Sequence, residues 1–140
     1  MKTVENWHRA MRSRDSEIWD QLLDEHVVFH SPVVFTPQKG KKITKIYLTT
    51  AAQVFETVEY TAYATNDTES ESKFRYVNET IGKDSAILEF ETELDGTYIN
   101  GVDLIKWNGR NKLTEVKVLV RPLQAVNVLH QKMQAMLESS

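Results

Sequence analysis

The stretch SAILEFETELDGTYINGVDLIKWNGRNKLTEVKVLVRP, residues 85–122, decides the fold. Apolar side chains recur in it at every second position, the period of a strand with one face against a core. In Ser85–Leu94, Leu88, Phe90 and Thr92 share one face while Glu89, Glu91 and Glu93 share the other. In residues 112–121, Val116, Val118 and Val120 oppose Glu115 and Lys117. Between these strands stand Asp95-Gly96 and Asn108-Gly109, pairs that suit tight hairpin turns because glycine supplies the positive φ such turns require. Consecutive hairpins predict an antiparallel meander with an apolar inner face and a charged outer one.

Outward from the meander, the period changes to that of helices. After Pro122, which stops the last strand, Leu123, Val126, Leu129, Met133 and Leu137 fall on one side of a C-terminal helix. Upstream, residues 59–65 and 73–80 read as two further strands, separated by the polar run 66–72 and followed by Gly82-Lys83-Asp84. Before them, Ile43, Ile46, Tyr47, Ala51, Val54, Phe55 and Val58 keep helical spacing for about four turns. Residues 36–42, with Pro37 and Gly40, read as a loop, and 26–31 as a short strand ended by Pro32. Ile18, Trp19, Leu22 and Leu23 form the apolar face of a short helix that Asp15 can cap. Val4, Trp7 and Met11 stripe a first helix. The order predicts an α+β domain over residues 1–140, in which a curved antiparallel or mixed sheet wraps around N-terminal helices like a cone and a helix closes the C-terminus. A bent sheet on a long helix leaves a hollow, where a small ligand would sit.

Composition narrows the function classes. With 41% hydrophobic and 26% charged residues the chain is ordinary for a folded domain. A net charge of −3 argues against a nucleic-acid binder, which needs a concentrated basic face. The cluster Lys39, Lys41, Lys42 and Lys45 around Gly40 reads as a solvated loop. The absence of cysteine excludes disulfides and thiolate chemistry. Residues 1–11 carry Glu5, His8 and Arg9 with no apolar run, so the expectation is a cytoplasmic protein without a membrane partner.

Residues 97–107 break the alternation rule in one respect. Ile105 and Trp107 face inward, and Asp103 and Gly101 must do so too, while Val102 and Leu104 point outward. An aspartate on a core face is expensive unless it is hydrogen-bonded or protonated by a raised pKa. The outward Val102 and Leu104, with Leu119, form an apolar strip that suggests a homodimer through the outer face of the sheet.

The string Gly101-Val102-Asp103-Leu104-Ile105, the Asn108-Gly109 turn, the run Val120-Arg121-Pro122-Leu123 and Phe29-His30-Ser31-Pro32-Val33-Val34 resemble the SnoaL-like members of the nuclear transport factor 2-like superfamily. The likeness covers nearly the whole chain, in order. That superfamily includes isomerases, cyclases, dehydratases, epoxide hydrolases and proteins without catalysis, so the resemblance implies a fold more sharply than an activity. Ketosteroid isomerase uses an aspartate base, a tyrosine donor and a second, protonated aspartate in an apolar pocket. The resemblance puts the protonated aspartate at Asp103, the tyrosine position at Trp7, the base position at Ser31 beside His30, and a second tyrosine close to Tyr47. One of three key groups is kept, which implies chemistry other than steroid isomerisation of that type.

The site expected from these readings has Asp103, His30 and Tyr47 as its acid–base groups. Trp7, Trp19, Ser31, Phe55, Leu88, Phe90, Val116 and Val118 are expected to form the ligand-binding walls. Tyr60 and Tyr76 read as core aromatics, and His8 and His130 as surface residues among polar neighbours. His26 and His30 stand roughly 13 Å apart on an extended strand, with no third ligand, so no metal is expected. Two functions fit: a pocket for a small apolar organic ligand, with cofactor-free isomerisation, cyclisation or hydrolysis through Asp103, or a non-catalytic ligand-binding or association module.

Overall fold

The structure, a computed structural model, describes residues 2–13, 15–55 and 73–139. Its elements run α1 (Lys2–Arg12), α2 (Glu17–Leu22), β1 (Leu23–His30), β2 (Gln38–Lys39), α3 (Lys41–Phe55), β3 (Arg75–Ile81), β4 (Ser85–Leu94), β5 (Thr97–Trp107), β6 (Leu113–Arg121) and α4 (Leu123–Ser139). The strand expected over 59–65, the helical position Val58, Tyr60 and the polar run 66–72 lie outside the described residues.

Among the described residues, six strands form one mixed sheet in the order β2-β1-β6-β5-β4-β3. The meander from β3 to β6 is antiparallel, as the hairpin signals predict. Asp95 and Gly96 both have positive φ, 51° and 80°, the tight turn whose twist matches that of its strands. The second hairpin corrects the expectation of a two-residue turn at Asn108-Gly109. Its left-handed residue is Asn111 (φ 62°), because the Asn108 side chain accepts the N–H groups of both Arg110 and Lys112 and so opens a longer loop. β1 runs parallel to β6, with Phe29 opposite Val116, so the strand nearest the N-terminus pairs with the last one.

Two other boundaries differ from the sequence reading. Leu23, expected on the second helix, is already extended (φ −86°, ψ 136°) and starts β1 as a buried residue. Gln38 and Lys39, expected in a loop, pair with β1 as a short edge strand. Asp15 accepts the N–H of Glu17 at 2.9 Å, while Ser16 occupies the N-cap position of α2.

The core has two centres. One gathers Trp7, Trp19, Leu22, Val27, Leu88, Ile105 and Val116, where α1 and α2 meet the sheet. The other gathers Phe55, Phe74, Phe90, Ile99 and Leu129, where α3 and α4 meet it. Tyr76 and Val118 pack against both. Gly101 lets the second centre form, since a Cβ there would stand 2.6 Å from Phe90 Cζ and 2.7 Å from the carbonyl of Leu119.

Candidate active site

A cavity of about 280 Å³ lies between the inner face of the sheet and the helices. Phe29, Phe90 and Val118 face it from the strands, with Phe74 just ahead of β3. Trp7 and Met11 of α1 and Tyr47, Leu48, Ala51 and Phe55 of α3 face it from the other side. α4 contributes Leu129, Met133 and Leu137, and beside them the exposed His130, Gln134 and Glu138. These exposed groups and residues 31–34 after β1 set the mouth. The walls are almost wholly apolar, a surface that favours an apolar ligand.

Asp103 is the carboxyl within this apolar enclosure. Alternation on β5 turns it inward, and it is only 5% exposed. Its Oδ2 accepts a hydrogen bond from the Tyr76 hydroxyl at 2.8 Å, and that hydroxyl accepts one from Trp7 Nε1–H at 3.1 Å. Each polar atom in this chain thus has a use for its neighbour, which is what makes burial tolerable. Burial pushes the Asp103 carboxyl up to about 7, against the Tyr76 hydrogen bond, which acts in the other direction. Burial, then the negative charge of Asp103, holds the Tyr76 phenol well above its ordinary value, so it keeps its proton. Near neutrality Asp103 is therefore divided between its two forms and can take or give a proton.

No family model matches the sequence, and no curated protein matches it. Solved structures do. A steroid delta-isomerase from Pseudomonas aeruginosa superposes with a TM-score of 0.82 at 24% identity, covering 99% of this chain and 90% of its own. An uncharacterised protein with a cystatin-like fold from Silicibacter pomeroyi gives 0.81 at 24% identity, over 99% of this chain and 86% of its own. A SnoaL-like family protein from Agrobacterium tumefaciens gives 0.57 at 14% identity, over 86% of this chain and 96% of its own. The fold is the nuclear transport factor 2-like fold.

Within that fold the expected site residues divide. Trp7, Ser31, Phe55, Phe90 and Val118 line the cavity with Asp103. Trp19, Leu88 and Val116 do not: all three are buried in the core, and Trp19 packs edge-on against Trp7 at 5.4 Å. Tyr47 lines the cavity, yet its ring stacks on Phe29 at 5.5 Å, and the hydroxyl that meets Asp103 belongs to Tyr76. His30, expected as an acid–base group, is not among the residues that line the cavity. It points opposite in direction to Phe29, with Nε2 3.0 Å from Glu115 Oε2.

Reading the sequence missed several residues of the site, Tyr76 and His130 among them. Tyr76 shares a face with Phe74, a two-residue spacing that signals an inward hydroxyl, but its partner becomes visible only when β3 is set against β4. His130 sits three and seven residues before Met133 and Leu137, a spacing that places it at the edge of the apolar stripe of α4. His8, also read as a surface group, lies edge-on to the Tyr76 ring at 4.7 Å and 2.5 Å from Glu79 Oε2.

Proposed function

We propose that the cavity takes a small, apolar organic molecule bearing a carbonyl, hydroxyl or epoxide oxygen, and that Asp103 is the catalytic residue of a cofactor-free isomerisation, cyclisation or hydrolysis. The observation that carries this reading is the Trp7–Tyr76–Asp103 hydrogen-bond chain, which ends at a buried carboxyl on the wall of an apolar cavity. The volume sits near the lower end of the range for ligand pockets, roughly 300–1,000 Å³, so the ligand is small. The ionised carboxylate takes a proton from a carbon next to a carbonyl; the protonated form donates to an oxygen that gains charge. Tyr76 is outside the cavity lining and acts as a positioning residue, holding Oδ2 while Trp7 holds Tyr76. The shared fold with a steroid delta-isomerase supports isomerase chemistry by analogy only. The proposal keeps the protein as one domain in the cytoplasm, with no membrane or nucleic-acid partner. It is tested by incubating the protein with cyclic enones in D2O and following deuterium entry next to the carbonyl by NMR. Exchange catalysed by wild type and lost in Asp103→Asn is expected; equal exchange with both would sink the assignment of Asp103.

A second reading, an association module, draws on the convex face of the sheet. Ile87 opposite Leu104 and Val102 opposite Leu119 make a diagonal apolar strip over β4, β5 and β6, flanked by Glu89 and Lys117, with Ile87 45% and Leu119 53% exposed. We propose a homodimer through this strip. Sedimentation of wild type as a dimer, and of Leu119→Lys as a monomer, is the expected outcome; a wild-type monomer at micromolar concentration removes the dimer.

A further inference from the structure

On the face of α1 opposite Trp7 lies a second depression of about 340 Å³, lined mainly by polar and cationic side chains. Val4, Trp7 and Met11 turn one side of α1 to the core, so Lys2, Asn6 and Arg9 share the other. The loop after β5 brings Arg110, Asn111 and Lys112 beside them, and Ile18, Gln21 and Leu22 of α2 complete the wall. Four of the chain's 17 lysines and arginines meet here, in a protein whose 20 acidic residues outnumber them.

What sets these cations apart is that four of them gather round one depression. Six other cations of the described residues are paired with carboxylates, among them Lys41 with Glu25, Lys45 with Asp20, Arg75 with Glu91 and Lys132 with Asp95, while the rest, such as Lys117, stand singly on the surface. Among the described residues, none of Lys2, Arg9, Arg110 and Lys112 has a carboxylate partner, and no acidic residue lines the depression. Arg9 donates to the Asn6 side-chain carbonyl, and Lys112 to the backbone carbonyl of Gln21. Thr3 donates to the Asn111 side-chain carbonyl at 3.2 Å. Both asparagines thus have their acceptor oxygens occupied and keep their NH2 groups as donors. The result is a surface of donors and positive charge, set on three elements and fixed by contacts among them.

We infer that this depression is a binding site for a small phosphate-bearing anion, separate from the apolar cavity. Guanidinium groups suit a phosphate because their paired N–H donors match its oxygens, and charge-assisted hydrogen bonds are the strong ones. The half-buried Ile18 gives the organic part of a phosphate ester something apolar to rest on. The size of the depression and the net charge of −3 favour a small anion over a nucleic acid.

The test is an NMR titration of the full chain with inorganic pyrophosphate and, separately, phenyl phosphate, with sodium chloride adjusted to hold ionic strength constant. Saturable shifts confined to the amides around Asn6, Arg9, Arg110, Asn111 and Lys112 are expected. The exposed pair Arg9→Gln/Arg110→Gln should weaken binding by about tenfold or more, while Lys42→Gln, on α3, should leave it unchanged. Tighter binding of phenyl phosphate would mark an ester as the ligand class, and tighter binding of pyrophosphate a free polyphosphate. Shifts that fail to saturate, that chloride reproduces, or that survive in a folded Arg9→Gln/Arg110→Gln variant would overturn the site.

Discussion

Replacing Asp103 with asparagine should make the protein more stable above neutral pH and no more stable in acid. Burial disfavours the charge and pushes the carboxyl from its ordinary 3.8 up to about 7 in the folded chain. A carboxyl harder to ionise when folded withdraws stability as pH rises: nothing is lost below 3.8, the loss grows between 3.8 and about 7, and it is complete above 7. At about 1.4 kcal/mol for each tenfold change in ionisation constant, the full loss is about 4 kcal/mol. Between pH 4.5 and 8.5 the wild type should therefore lose about 3 kcal/mol that the variant keeps. Asparagine can still accept from Tyr76, but its NH2 enters an apolar cavity, a pH-independent cost of about 1–3 kcal/mol. The variant should come out ahead at pH 8.5 by about 1–3 kcal/mol, and level or behind at pH 4.5. Urea unfolding followed by tryptophan fluorescence at both pH values measures this, as a midpoint difference of about 1 M or more. Every other titrating group is common to both proteins, so the difference isolates Asp103. A stability difference that stays flat across that range would refute the reasoning, since it would mean that Asp103 is solvated.

Tyr76→Phe removes the hydrogen bond that favours the ionised carboxylate and leaves the Trp7 N–H without its acceptor. Asp103 should then titrate still higher, read from its side-chain carbon resonance, and the fold should lose about 1–3 kcal/mol in urea unfolding. Gly101→Ala should destabilise the protein by about 1–3 kcal/mol, and adding Phe90→Leu should restore only part, because the Leu119 carbonyl cannot move aside as a ring can. A melting temperature equal to wild type for Gly101→Ala would contradict the close approach at that glycine. Ala51→Trp, on the α3 wall, should fill the cavity and abolish the deuterium exchange described above while circular dichroism stays native; retained exchange would place the chemistry elsewhere.

Much of this architecture was legible because its signals are local. The two-residue period of residues 85–121 and the Asp95-Gly96 turn fix which side chains face inward, and they alone place Asp103 on the core face. What escaped the sequence depends on contacts far apart in the chain. Tyr76 reaches Asp103 across 27 positions, through a β3–β4 register that a bulge between Tyr76 and Asn78 shifts. The parallel pairing of β1 with β6 joins strands that no hairpin connects, and it carries Val116 into the core beneath Phe29. The outward face of His30 was legible from its alternation with Phe29, whereas its partner Glu115 lies on β6, which no hairpin joins to β1. His130 belongs to the cavity because α4 folds back over the sheet, a tertiary fact that helical spacing hints at without deciding.

The account stands most directly on whether the cavity holds a ligand through Asp103. A thermal-shift screen of wild type and Asp103→Asn against apolar carbonyl compounds, epoxides and polyketide-like aromatics measures this. A ligand at about 100 times its Kd should stabilise the wild type by roughly 2.7 kcal/mol, a rise of several degrees, and should stabilise the variant less. Ligands that raise both melting temperatures equally, or a screen in which no compound raises the wild-type value, would contradict it.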